Sequence, residues 1–295
     1  MPVPTQLTPK GLARFNHFEL VAHSVVEGFM TGLHKSPYKG FAIEFAEHRP
    51  YTPGDDIKHL DWKLYAKLDR YYIRQYEEDT SLRAYLLLDR SGSMGYRSGR
   101  TAKIDFGRYI CGVFTYLLQL QQDAIGLVTF DSRVEHHLPP RSTRTHMKAI
   151  FDRLTATQCG RDTNLGGVLH SLADRLKRRA LVVIVSDLFD DSQAIIRALN
   201  HFSHRRHEVV VFQVLDRREV TFPFVEQTRF ESLEQVETIL TDPLRVRREY
   251  QRQFNDHQTA IRKACHRLRI DFQQLLTDEP FERQMAAYLA GRLRR

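Results

Sequence analysis

Apolar and polar positions change rhythm along this 295-residue chain. Between residues 8 and 31, Leu12, Phe15, Phe18, Val21, Val25, Val26 and Phe29 recur at helical intervals behind Thr8 and Pro9, which suit an N-cap and a first-turn proline. The pattern predicts an amphipathic opening helix. Beyond "HKSPYKG", the segments "FAIEFAEHRPY" and "YYIRQYEEDTSL" alternate as strands on either side of a Pro-Gly turn in "TPGDDIKHLDWK". Residues 1–80 therefore read as a helix followed by a small β-rich prefix.

From 81 to 295 apolar runs alternate with helical stretches. "AYLLLD", "AIGLVTF", "ALVVIVSDL", "HEVVVFQVL" and "RIDFQQLLT" read as strands, with a shorter "RVEHHL" after the second. Helices are expected near 103–122, 143–155, 164–178, 192–203 and 243–267, and one more closes the chain. Near-continuous Val, Ile and Leu strands separated by helices indicate a mostly parallel sheet covered on both faces, a doubly wound, Rossmann-like α/β domain. Such sheets bind ligands outside the carboxyl ends of their strands, where the strand order reverses. Two of the runs end in aspartate, Asp89 and Asp187.

The first of these ends carries the chemistry. In "LLLDRSGSM", Asp89, Ser91 and Ser93 fall at two-residue intervals, so an extended start turns three hard oxygens to one side of the loop. Thr163 in "GRDTNLGGVL" stands just ahead of a helix start, and Asp187 follows the third strand. Two carboxylates and three hydroxyls offer too little charge and no soft ligand for a closed zinc cage. They suit a hard divalent cation, Mg²⁺ first and Mn²⁺ or Ca²⁺ as alternatives, with an open position that an acidic group from a partner can fill. Taken singly, Asp and Ser after a strand are ordinary turn formers and helix caps. The joint placement of all five at strand ends or adjoining loops favours a metal site.

These segments resemble the metal-ion-dependent adhesion site of von Willebrand factor A domains, whose pattern is Asp-x-Ser-x-Ser, a later Thr and a later Asp. The stretch "YKGFAIEFAEHRPYTPGDDIKHLDWKLYAKLDRYYIRQYEED" further resembles the signature that precedes the A-like domain in the family called domain of unknown function fifty-eight. The two resemblances together span about residues 35 to 290. They imply an A-like fold in which Asp89, Ser91 and Ser93 are first-loop ligands, Thr163 the second-loop ligand and Asp187 the third, often acting through water. They also imply a chaperone-like role beside a MoxR-type AAA+ ATPase, in assembling or activating another protein complex. Some members of that family begin with two membrane helices, which this sequence lacks.

Composition narrows the alternatives. Lys and Arg number 44 against 36 Asp and Glu, a formal charge of +8. The basic residues concentrate in "LKRRA", "HRRH", "LRVRREYQRQF", "IRKACHRLR" and "GRLRR", helical runs without the aromatic interleaving of a nucleic-acid surface. An acidic protein partner fits them better than nucleic acid. Three widely spaced cysteines, Cys111, Cys159 and Cys265, form no metal-type spacing and suit a reducing compartment, so a cytoplasmic setting is expected. The N-terminus has no apolar signal region, and no window approaches a membrane span.

Phosphate-loop, nucleophile-elbow, zincin and dinucleotide signatures are missing, which points to a non-enzymatic protein-docking role. The rival reading is a metal-dependent phosphoester hydrolase with Asp190 or Asp191 as base. Capping of the following helix is the plainer role for that pair. Around Trp62, the charges Arg49, Asp55, Asp56, Asp61 and Lys63 read as a turn anchoring the prefix rather than an acid pair. His201, His204 and His207 in "HFSHRRH" match no zinc spacing.

Overall fold

The computed structural model describes residues 21–26, 48–50, 71–74, 82–160, 163–233 and 238–292. Trp62 and its charged neighbours Asp55, Asp56, Asp61 and Lys63 lie outside them. The chain forms two compact units, one of residues 36–81 and one of residues 1–35 with 82–295. In the first, β1 (His48–Pro50) pairs antiparallel with β2 (Tyr72–Arg74). Helical residues 21–26 belong with the second, where Ala22, Val25 and Val26 are buried in the main core. The segment 1–80, expected as one prefix, thus divides between the two units.

The larger unit runs β3 (Arg83–Asp89), α1 (Lys103–Leu120), β4 (Ala124–Phe130), β5 (Val134–Arg141), α2 (Arg144–Ala156), α3 (Leu165–Arg175), β6 (Leu181–Ser186), α4 (Ser192–His204) and β7 (Glu208–Leu215). It continues through α5 (Arg217–Thr221), β8 (Thr228–Glu231), β9 (Thr238–Thr241), α6 (Pro243–Arg267), β10 (Asp271–Leu276) and α7 (Phe281–Arg292). Six strands form one sheet in the order β10-β7-β6-β3-β4-β5, parallel throughout except for β5. β5 can carry Pro139 and Pro140 because it is an edge strand, where a missing amide leaves no ladder bond unmade on the open side. β8 and β9 make a separate antiparallel hairpin.

The apolar runs form central strands because both of their faces are covered. Leu86, Leu88, Val183 and Val185 pack on one face with Ile104, Phe106 and Ile110 of α1, Phe151 of α2 and Met285 of α7. Leu87, Val182 and Ile184 pack on the other with Leu169 of α3, Ile195 and Leu199 of α4 and Ile261 of α6. Each such buried side chain contributes roughly 1.5–3 kcal/mol by leaving water.

From β3 the chain proceeds to β4 on one side, while β6 occupies the other, so the strand order reverses between β3 and β6. Their carboxyl ends are Asp89 and Ser186, which makes this the crevice where a ligand is expected.

α3 and α4, which follow the second and third candidate loops, approach closely. A Cβ on Gly166 would stand 2.5 Å from the Ala194 Cβ and within 3.3 Å of its backbone. Gly166→Ala is therefore expected to destabilise the fold by about 1–3 kcal/mol, despite alanine's better helix propensity. Urea unfolding checks this, and a neutral or stabilising effect would show that the two helices separate freely.

Candidate metal centre

Asp89, at the end of β3, is 2% exposed. Its Oδ1 accepts the Ser91 amide at 2.8 Å, and its Oδ2 accepts the Ser186 hydroxyl at 2.5 Å. The loop then enters a short 3₁₀ turn at Gly92–Gly95, which presents the Ser91 and Ser93 hydroxyls 3.1 Å apart. Neighbouring ligands of an octahedral Mg²⁺ with bonds of 2.0–2.1 Å lie about 3 Å apart, so this pair already has the spacing of one octahedral edge. The Ser91 side chain also hydrogen-bonds the Asp89 carboxylate.

Asp187 follows β6 and is equally buried. Its Oδ1 accepts the Phe189 amide at 3.1 Å, and its Oδ2 accepts the Lys103 ammonium at 2.7 Å. Lys103, in the first turn of α1, has no exposed surface and also donates to Glu219 at 2.6 Å. The Phe189 ring lies 4.7 Å from the ammonium. Glu219 is aimed by its own helix start, where Asp216 and Glu219 form the capping box of α5. Leu188 carries a φ of 61°, a left-handed conformation held by its amide on Ser186 Oγ and by His257 Nε2 on its carbonyl. Gln213 of β7 donates to the Asp187 carbonyl at 3.0 Å.

The electrostatics are those of a site short of positive charge. Burial, reinforced by the nearby Asp187, pushes the Asp89 carboxyl up to about 7. Burial also raises Glu219, against the pull of Lys103. For Lys103, burial acts to lower the pKa, but Asp187 and Glu219 outweigh it and hold the ammonium above an ordinary lysine. Asp187 and Glu219 share the single ammonium of Lys103, so ionising Asp89 beside them adds negative charge that a divalent cation would offset. The oxygen-only donor set and the Ser91–Ser93 spacing fit a hard ion such as Mg²⁺.

The structure thus gathers Asp89, Ser91 and Ser93 into one hydrogen-bonded group, with Asp187 near enough to act on Asp89 electrostatically. Thr163 is half-buried and immediately precedes Asn164, the N-cap of α3. Asp190 ties its region to the β6–α4 loop by accepting the Gly166 amide at 3.0 Å. Asp191 caps α4 through the Gln193 and Ala194 amides. Both carboxylates considered as a hydrolytic base are therefore engaged with backbone donors.

Ser186, Lys103, Gln213 and Glu219 did not stand out in the sequence. Gln213 interrupts the apolar run "VVVFQVL", and the D-x-x-E of "DRRE" announces the α5 capping box, so two of the four had a signal. Lys103 had none, because a lysine near a helix start is ordinarily solvated. A cavity of about 300 Å³ opens beside Ser93 and is lined also by Tyr96, Phe189, Glu219, Glu231 and Leu233.

The family described as "Protein of unknown function DUF58" matches residues 47–260. Uncharacterized proteins of Mycobacterium tuberculosis (strain H37Rv) and Mycobacterium bovis are each 26% identical over 292 residues, covering 97% of this chain and 91% of theirs. Among solved structures, a conserved hypothetical protein BatB from Bacteroides thetaiotaomicron aligns with a TM-score of 0.46 and 11% identity, over 72% of this chain and 100% of that one. The SpRpn10 VWA domain aligns with a TM-score of 0.39 and 10% identity, over 69% of this chain and 93% of that one.

Proposed function

This chain belongs to the DUF58 family, and from that premise we propose that it is a non-enzymatic docking protein whose von Willebrand factor A-like unit uses a divalent metal to hold a partner. Asp89, Ser91, Ser93 and Thr163 hold the ion, Mg²⁺ by preference, with Asp187 in its outer shell. The observation that carries this reading is the hydrogen-bonded Asp89–Ser91–Ser93 group at the strand-order reversal, with Asp187 acting on Asp89 and only the Lys103 ammonium shared between Asp187 and Glu219. Hydroxyl ligands leave the ion electrophilic, so a partner's Asp or Glu completes its coordination.

Other features support docking. The cavity beside Ser93 gives a segment of the partner a way in. Val225, Leu233, Leu244 and Val246, all exposed, lie on the stretch that follows α5 and offer apolar contacts. The partner implied by the family resemblance is a MoxR-type AAA+ ATPase, acting with this protein on a client complex. Among the described residues no helix is long and apolar enough to cross a membrane. A cytoplasmic setting is part of the proposal, supported by three free cysteines, of which Cys111 and Cys265 are buried.

Capture from native lysate tests the reading, using wild type and Asp89→Ala with Mg²⁺ or with EDTA. Retention of an ATPase only by wild type with Mg²⁺ is the expected result. Capture that ignores both chelation and mutation would move the interface elsewhere. Turnover of a generic phosphoester that is lost in Asp187→Ala would instead favour the hydrolase.

A further inference from the structure

We propose that His170, Asp174 and His201 form a second metal site, distinct from the Asp89 centre, that takes a first-row transition ion with zinc as its natural occupant. The three offer ligand atoms that all lie within 4.8 Å of one another. They stand outside the loops that carry the Asp89 centre, on the facing sides of α3 and α4.

The helix geometry explains why they meet. Gly166, His170 and Asp174 are spaced by four along α3 and so form one stripe. Ala194, His201 and Arg205 lie along the matching stripe at and just beyond α4. Where Gly166 meets Ala194 the helices nearly touch, so the longer side chains further along face each other directly. His170 Nδ1 and His201 Nδ1 are 3.3 Å apart, and their rings are 4.5 Å apart between centroids. His201 Nε2, its other ring nitrogen, stands 3.3 Å from Asp174 Oδ1. One ion takes only one nitrogen of the ring, so the two close contacts are alternatives at His201, and the three-ligand set spans up to 4.8 Å before an ion draws it together.

Zinc–nitrogen bonds of 2.0–2.1 Å at a tetrahedral angle place two nitrogens about 3.3 Å apart, so the imidazoles already have the separation of a zinc chelate. Two imidazoles and a carboxylate are borderline ligands that prefer zinc, nickel or copper to Mg²⁺, the reverse of the oxygen-only Asp89 set. Three protein ligands leave a fourth position for water or a ligand. Arg205 is the competitor, since its guanidinium donates to Asp174 Oδ1 at 2.9 Å; metal binding displaces it or uses the second carboxylate oxygen.

The sequence run of His201, His204 and His207 matches no zinc spacing, and the structure separates its members. His207 turns inward and accepts the Ala180 amide at its Nδ1, whereas His204 is exposed. Only His201 faces α3, and its partner His170 is 31 residues away, beyond the reach of any local spacing rule. An ion here would fasten together the helices that start directly after Thr163 and after the Asp187 loop.

Calorimetric titration of the full chain with Zn²⁺ at neutral pH tests this, alongside His170→Ala, His201→Ala and Asp89→Ala. Wild type is expected to bind at a micromolar site that weakens by about tenfold or more in each histidine variant and persists in Asp89→Ala. A Co²⁺ spectrum with tetrahedral intensity, lost in the same two variants, should accompany it. Far-UV circular dichroism shows that each variant is folded, and His170→Gln and His201→Gln serve if an alanine variant is not. Zinc binding unchanged in both histidine variants, or absent in wild type, would overturn the proposal.

Discussion

Lys103→Met is expected to lower the unfolding free energy by about 3–5 kcal/mol, because it leaves the buried Asp187 and the partly buried Glu219 without their cation. Lys103 bonds Asp187 at 2.7 Å and Glu219 at 2.6 Å, and none of its side chain reaches solvent. Methionine fills much of the same volume, so the loss measures charge rather than packing. Adding Glu219→Gln to the variant should recover part of the stability, since one of the stranded charges then disappears. Urea denaturation at neutral pH reads both results. A loss below about 1 kcal/mol for Lys103→Met would mean that water reaches the carboxylates and that the site is looser than its geometry.

The second large effect is a dependence of stability on pH that Mg²⁺ abolishes. Unfolded Asp89 titrates near 3.9, and in the folded, metal-free chain burial and Asp187 move it up to about 7. Between these values the folded state holds a proton that the unfolded state has released, so stability falls as pH rises. The slope approaches about 1.4 kcal/mol per pH unit inside that window. Glu219, also raised, adds to the same trend. Asp216 is lowered by bonds from Ser98, the Arg218 amide and Thr277, against the opposing effect of burial; its contribution has the opposite sign but is confined to more acid pH. Asp89→Asn should flatten the decline. Because Mg²⁺ binds only the ionised carboxylate, its effect on Tm should be larger at pH 7.5 than at pH 5. Thermal melts with and without the ion check both, and an equal Mg²⁺ effect at the two pH values would remove Asp89 from the ligand set.

The sheet was readable in the sequence because its strands are buried on both faces and so appear as uninterrupted Val, Ile and Leu runs. The 243–267 helix matches its expected limits because Asp242, Pro243 and a basic last turn mark its two ends. Short α5 and the β8–β9 hairpin were missed. Five residues are too few to show a period, and "TRFE" and "TILT" are too short to stand out from loop.

The site divides the same way. Asp89, Ser91 and Ser93 are legible because their order along one loop is local. Lys103, Ser186 and Glu219 join them only through the tertiary fold, across 84 to 116 residues of sequence. The pairing of His170 with His201 is likewise a product of helix packing.

Metal-dependent docking requires an ion on the Asp89 loop. Mn²⁺ binding followed by electron paramagnetic resonance, in wild type, in Ser91→Ala/Ser93→Ala and in His170→Ala, addresses this directly. One Mn²⁺ site competed by Mg²⁺ is expected, lost in the double serine variant and kept in His170→Ala. Mn²⁺ binding that survives loss of both hydroxyls, or that never occurs in wild type, would contradict it.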